Sequence, residues 1–212
     1  MSPYAVSKVY GDFLTRNYYH SYGLDTVVSR AFNHEGAGRG KMFVTSVVTN
    51  QVIQLKLGLT DKITIGNVNA FRDWTHIEDI INGYLLLAKK GNSGDVYNQG
   101  SMRTNSILSY ILLSIEQIGQ KIESISTLNG DKVITNPTEL NSDKYYGVSF
   151  DKTKVDSMIL DDEIEYTIEN KGINVKTDTD NIKIEFNPAR FRPAEVPILF
   201  SNTAKIQKLG AK

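Results

Sequence analysis

Thr26-Val27-Val28-Ser29-Arg30-Ala31-Phe32 runs without a break into Asn33-His34-Glu35-Gly36-Ala37-Gly38-Arg39-Gly40. The first half is rich in apolar and β-branched residues and reads as a buried strand. The second half is polar and carries three glycines. A loop of this kind at the end of a buried strand is where α/β sheets place ligand contacts. The plainer alternative is an ordinary surface connection, which tolerates the same composition. The segments on either side bear on the choice.

Upstream, residues 3–22 show a helical pattern. Ser2 can act as N-cap, Pro3 suits the first helical position because its missing N–H is unpaired there anyway, and Gly23 supplies a stop. Val6, Val9, Tyr10, Phe13 and Leu14 are expected to form one apolar face. Tyr4 and Lys8 lie one turn apart on a common side. A cation beside a phenol favours the phenolate, which makes such a pair a candidate for proton transfer. By itself the spacing is weak, since a solvated helix face gives the same pattern.

Downstream, residues 43–57 are expected to be helical, with Val44, Val47, Val48, Val52, Ile53 and Leu55 as core candidates. Residues 62–65 read as a strand ended by Gly66. Phe71-Arg72-Asp73-Trp74-Thr75-His76 reads as a turn into a helix over 77–89. Arg72 has a guanidinium fork suited to phosphate, although a structural pair with Asp73 is its plainer use. Residues 96–98 suggest another strand and 106–117 another helix. Alternation of helices and strands predicts α/β architecture with parallel strands. Beyond 121 the pattern changes. Residues 163–168, 173–176 and 182–186 alternate polar with apolar, separated by turn segments, and predict an antiparallel hairpin or three-stranded ribbon. The stretch 121–162 holds β-branched residues without clear periodicity. Asp161-Asp162-Glu163 reads as solvated surface. A short helix is expected near 203–209.

Composition narrows the function classes. The 212 residues are 40% hydrophobic, and 24 basic residues balance 24 acidic ones. That balance argues against a general nucleic-acid or anionic-membrane binder. Cysteine is absent, which excludes disulfides and thiolate chemistry, and the three histidines have no metal-type spacing. The apolar runs are too short to span a bilayer and no signal peptide is recognisable, so a cytoplasmic location is expected.

Taken together, Ser2-Pro3-Tyr4-Ala5-Val6-Ser7-Lys8, Phe32-Asn33-His34-Glu35, Arg39-Gly40, Phe43-Val44-Thr45, Arg72-Asp73-Trp74 and Arg192-Pro193-Ala194-Glu195-Val196 resemble the GDP-mannose 4,6-dehydratases. These are extended short-chain dehydrogenase/reductases acting on nucleotide sugars. The resemblance implies the C-terminal part of a Rossmann-like α/β fold, with a smaller substrate-binding domain and a β-hairpin insertion. Residues 1–34 would end the dinucleotide-binding domain and 35–212 would form mainly the nucleotide-sugar region. Within the latter, 67–100 would return to the core sheet and 121–186 would be the β-rich insertion.

By the same resemblance Tyr4 is the catalytic acid/base and Lys8 holds the nicotinamide ribose. His34 and Arg39 contact the cofactor, NADP with NAD as the other option. Asn33, Val44 and Arg72 match the nucleotide-sugar side, with Arg192 and Glu195 as a second clamp. The implied chemistry is oxidation at hexose carbon 4, loss of water across carbons 5 and 6, and reduction at carbon 6, giving GDP-4-keto-6-deoxymannose.

The chain departs from the family pattern in several places. No Gly-rich dinucleotide fingerprint precedes Tyr4, nor do the family's catalytic Thr or Ser and Glu. Gly38 stands where an arginine is common, 121–162 is longer than the usual connection, and relatives continue beyond Leu209-Gly210. Val27, Phe32 and Val48 are therefore expected to lack cover, and the chain alone to be partnered, as a homo-oligomer or with a complementing N-terminal chain, or weakly stable. An epimerase or 4-reductase of the same superfamily, and a non-catalytic nucleotide-sugar-binding remnant, are the alternative readings.

Overall fold

In the computed structural model the chain is described over residues 2–191 and 195–211. In chain order the elements begin with α1 (Pro3–Tyr22), β1 (Val28–Ala31), β2 (Asn33–Glu35), α2 (Val44–Lys56), β3 (Lys62–Ile65), β4 (Phe71–Arg72) and β5 (Trp74–His76). There follow α3 (Ile77–Lys90), β6 (Val96–Gln99), β7 (Asn105–Ser106), α4 (Ile107–Gln117), β8 (Ile122–Thr127) and β9 (Ile134–Thr135). Next come the strands β10 (Leu140–Tyr145) and β11 (Val148–Thr153), then α5 (Lys154–Leu160), β12 (Gly172–Thr177), β13 (Asn181–Phe186) and α6 (Ala204–Gln207). Two units emerge. One comprises Met1–Ala37, Asp73–Thr104 and Leu199–Lys212; the other comprises Gly38–Arg72 and Asn105–Ile198.

The first unit is built on parallel pairs. β1 runs beside β6, from Val28↔Val96 to Ala31↔Gln99, and β2 runs beside β5, from Asn33↔Trp74 to Glu35↔His76. Residues 71–76 are thus two short strands rather than the expected turn, because this backbone finds ladder partners far away in sequence. Leu87 of α3, Tyr97 of β6 and Ile206 of α6 form a buried cluster, with Val27, Leu86 and Leu209 against it. Glu78 and Asp79 in the first turn of α3, and Lys89 and Lys90 in its last, complement the helix dipole.

α1 forms as its caps dictate. Ser2 Oγ accepts from Ala5 N–H, Pro3 opens the helix, and Gly23 closes it in the left-handed region at φ 67°. Its expected apolar face is not core: no described residue of α1 is buried, and Val6, Val9, Tyr10 and Phe13 are all exposed. The helix is held instead through polar contacts, among them Thr26 Oγ1 donating to the Thr15 carbonyl at 3.1 Å.

The second unit centres on a five-stranded sheet in the order β3-β13-β12-β8-β9. β3 and β13 are parallel, from Lys62↔Lys183 to Ile65↔Phe186, and the remaining pairs are antiparallel. Ile63, Ile125, Ile173, Val175, Ile182 and Ile184 are buried, as period-two patterning requires. Between them stand charged residues that pair across strands, as in Lys62–Glu185 and Lys176–Glu123. α4 buries Leu108, Ile111, Leu112 and Ile115. α2 docks to β3 through the Gln51 amide, whose Oε1 accepts from Thr64 N–H at 2.7 Å and whose Nε2 donates to Thr64 O at 3.1 Å. Val48, expected to lack cover, is fully buried in a helix that packs on α4 and β3.

Two sequence expectations change here. Residues 163–168 alternate but form no strand. Asn69 occupies the Tyr166 backbone instead, its Oδ1 accepting from Tyr166 N–H and its Nδ2 donating to Tyr166 O. The third strand of the ribbon is β8, drawn from the stretch that had no readable period. That stretch also contains the β10–β11 hairpin, whose turn residues Tyr146 and Gly147 both adopt positive φ.

Among the described residues no helix is long and apolar enough to cross a membrane, and no cluster of three or more His, Asp or Glu is placed to hold a metal.

Two helical glycines should respond oppositely to alanine. A Cβ on Gly83 would meet Gln99 Oε1 at 1.7 Å, and Gln99 is buried with its Nε2 donating to Ser29 Oγ at 2.6 Å. Around Gly11 nothing lies within 4 Å of the added carbon. Thermal unfolding should show Gly83→Ala destabilised and Gly11→Ala stabilised by about 0.5–1 kcal/mol.

Candidate functional site

Tyr4 and Lys8 lie on α1 with both side chains exposed, Tyr4 at 71%. The Lys8 ammonium is 5.5 Å from the Tyr4 ring centroid, inside cation–π range. One helical turn enforces this neighbourhood, and exposure leaves both polar ends reachable by a ligand. What fixes α1 relative to β1 is ionic. Asp12, with little of its side chain exposed, pairs with Arg30 of β1 at 2.6 Å and with Arg16 at 2.7 Å. The hydrogen bond from Arg30, joined by Arg16, holds the Asp12 carboxyl below the usual carboxylate range against an opposing effect of burial.

Asn33 and His34 sit on β2 in the first unit, where the ladder with β5 fixes their backbone. The His34 Nδ1 is 2.9 Å from the Phe32 carbonyl. A carbonyl only accepts, so Nδ1 carries the proton and Nε2 is left as the ring's acceptor. The glycines of the following loop have structural reasons of their own. A Cβ on Gly36 would meet Ile77 Cγ2 at 2.6 Å, and Gly38 takes φ 86°.

Arg39, Val44, Arg72 and Glu195 belong to the second unit. The Arg39 guanidinium lies 3.7 Å from the Phe43 ring centroid, and Ser46 Oγ donates to the Arg39 carbonyl. Val44 is the first residue of α2. Arg72 Nη2 donates to Glu195 Oε1 at 3.0 Å, and Nη1 donates to the carbonyls of Phe71 at 2.7 Å and Val196 at 2.8 Å. The two side chains are 13% and 18% exposed, so the pair is largely desolvated yet still reachable. Phe71 N–H donates to Pro197 O, which holds residue 71 beside the segment that carries Glu195.

Asp73, the expected partner of Arg72, instead accepts from Ser101 N–H, Ser101 Oγ and Ser201 N–H while fully buried. Those three neutral donors satisfy the carboxylate and leave Arg72 to Glu195. Arg192 lies outside the described residues. Tyr4, Lys8, Asn33 and His34 belong to one unit and Arg39, Val44, Arg72 and Glu195 to the other. A cleft of about 530 Å³ in the first unit is lined by Thr75, His76, Asp79, Gln99 and Ser101 among others, and by none of the residues singled out from sequence. Sequence reading also passed over Asn67 and Asn69, both tied into the Arg72–Glu195 neighbourhood. Their one local signal was the turn-like Gly66-Asn67 after β3.

The family model for GDP-mannose 4,6 dehydratase matches residues 1–163. The chain belongs to this family. A GDP-mannose 4,6-dehydratase of Yersinia enterocolitica is 30% identical over 211 residues, covering 99% of this chain and 48% of that protein. One from Vibrio cholerae is 27% identical over 207 residues, covering 98% of this chain and 47% of its own length. The chain thus spans about half the length of these curated relatives. Among solved structures, RMD from Pseudomonas aeruginosa complexed with NADPH is similar at 32% identity and TM-score 0.51, over 54% of this chain and 39% of that one. A dTDP-glucose 4,6-dehydratase from Bacillus anthracis in complex with NAD gives 27% identity and TM-score 0.51, over 56% and 37%. The architecture is the Rossmann-like α/β fold of extended short-chain dehydrogenase/reductases.

Two measurements check the family residues' supports. A depressed Asp12 carboxyl contributes stability above the ordinary carboxylate value, and that contribution is lost as pH falls through the folded value. Asp12→Asn should therefore melt below wild type at neutral pH, with the two melting curves converging below about pH 3. In the second unit, a lysine lacks the fork needed to reach Glu195 and two carbonyls at once. Arg72→Lys should speed hydrogen exchange of the Phe71 amide roughly tenfold.

Proposed function

We propose that this chain carries the acid/base pair and nucleotide-sugar region of a nucleotide-sugar dehydratase, a lyase converting GDP-mannose to GDP-4-keto-6-deoxymannose. The observation that carries the reading is the family match over residues 1–163, which contains Tyr4, Lys8, Asn33, His34, Arg39, Val44 and Arg72. The donor set fits a nicotinamide dinucleotide: an exposed ammonium and phenol one turn apart, and an imidazole whose proton is already committed to a carbonyl. In the first unit Lys8 and His34 would hold it, and Arg39 of the second unit is assigned to the cofactor by the family pattern alone; NADP is favoured by the NADPH complex of the Pseudomonas aeruginosa relative. When bound, that group supplies the redox chemistry at hexose carbon 4.

The remaining work falls to side chains of this chain. Tyr4 exchanges a proton with the hexose 4-hydroxyl, with the Lys8 ammonium one helical turn away and 5.5 Å from its ring. Asn33 in the first unit and Val44 in the second are each assigned to the sugar side by the family pattern. Arg72 faces the diphosphate, where a planar guanidinium matches phosphate oxygens, and Glu195 with Arg192 is assigned by the family pattern to a second clamp on the nucleotide. The exposed apolar residues of α1 support an oligomer as the working form. A cytoplasmic setting, where nucleotide sugars and NADP meet, accords with the absence of cysteine.

Calorimetric titration of purified chain with GDP-mannose and with NADPH tests the reading. Each ligand should bind saturably. Arg72→Ala should weaken GDP-mannose roughly tenfold or more while sparing NADPH, and Lys8→Ala should do the reverse. Saturable binding of neither ligand by wild type would sink the proposal.

A further inference from the structure

β3 and β13 are parallel neighbours, so the chain leaves both at the same end of the sheet. Asn187 N–H donates to Ile65 O at 2.7 Å, and a Cβ on Gly66 would lie 2.6 Å from the Arg190 carbonyl. The two exits are therefore pressed together. Asn67 on the first reaches Glu195 beyond the second, its Nδ2 donating to Glu195 Oε2 at 3.3 Å, while the other carboxylate oxygen takes Arg72 at 3.0 Å.

The direction of the Asn67 amide is not arbitrary. Its Oδ1 accepts from the Asn69 backbone N–H at 2.9 Å and from Asn69 Nδ2 at 3.2 Å. A backbone N–H can only donate, so the amide nitrogen must face the carboxylate. Asn69 is fixed in turn by the N–H and carbonyl of Tyr166, at 3.0 and 2.7 Å. An unbroken polar chain thus runs from the Tyr166 backbone through Asn69 and Asn67 to Glu195 and Arg72.

The geometry points to Asn67 as a positioning residue that aims the Arg72–Glu195 pair before a nucleotide arrives. This deepens the nucleotide-sugar reading above and rests on it for the ligand. A carboxylate held by one partner still swings about its rotatable bonds, and ordering it on binding weakens affinity. With Arg72 on one oxygen and Asn67 on the other, both oxygens are directed. The ligand class is a nucleoside diphosphate, whose phosphates suit the guanidinium and whose ribose hydroxyls can donate to the carboxylate.

Asn67→Asp separates positioning from structure. It keeps the oxygen that accepts from Asn69 and replaces the donor to Glu195 with a repelling carboxylate. Asn67→Gln keeps a donor on a longer arm. Side-chain NMR of the ligand-free chain reads the positioning directly through the Glu195 carboxylate and the Arg72 guanidinium protons. Well below the melting temperature of each variant, both signals should shift and broaden in Asn67→Asp, with partial recovery in Asn67→Gln. GDP, titrated as the probe, should bind Asn67→Asp about tenfold more weakly than wild type.

Unchanged Glu195 and Arg72 signals in Asn67→Asp would overturn the inference, as would a fall in melting temperature that accounts for their loss. If those signals respond as expected but wild type does not bind GDP, the positioning role stands and the nucleotide-sugar reading fails.

Discussion

Parallel pairing of β3 with β13 is the constraint on which the second unit depends. Parallel strands cannot be joined by a tight turn, so a long excursion must separate Ile65 from Asn181. The excursion adds strands to the same sheet, β12 beside β13 and β8 beside β12, and their inward residues Ile125, Ile173, Val175 and Ile184 bury together. Because both paired strands run the same way, their exits coincide. That coincidence brings residues 66–72 against 187–191 and 195–198, and with them Asn67, Arg72 and Glu195 into one hydrogen-bonded group.

The Arg72–Glu195 pair has a different energetic character from the surface pairs of the sheet. Lys62–Glu185 stands in solvent and contributes little beyond register, whereas Arg72 and Glu195 are mostly removed from water. A desolvated pair is tolerable because each member has further hydrogen-bond partners: two backbone carbonyls for the guanidinium and an asparagine amide for the carboxylate. The same logic holds for Asp73, a buried carboxylate satisfied by two backbone N–H groups and a hydroxyl.

α1 shows how local and tertiary information diverge. Its ends are specified within a few residues by Ser2, Pro3 and Gly23, and the helix forms accordingly. Its apolar side chains are nevertheless exposed, and the helix is tied to β1 by Asp12 with Arg30. Tyr4 and Lys8 inherit their mutual geometry from the helical repeat alone.

Sequence by itself determined the helices at 3–22 and 77–89, the strands around 62–65, 96–98 and 182–186, the α/β class, and the family to which the chain belongs, because caps, periodicity and short motifs are written in adjacent residues. Motif order is also what singles out Tyr4, Lys8, Arg72 and Glu195 as proposed site residues. Tertiary structure alone decided that Arg72 pairs with Glu195 rather than Asp73, that 163–168 yields its backbone to Asn69 instead of a ladder, and that Asn67 meets a carboxylate 128 positions away. Such choices are settled by which hydrogen-bonding groups the parallel strands bring within 3 Å or so of one another. No local pattern encodes that distance.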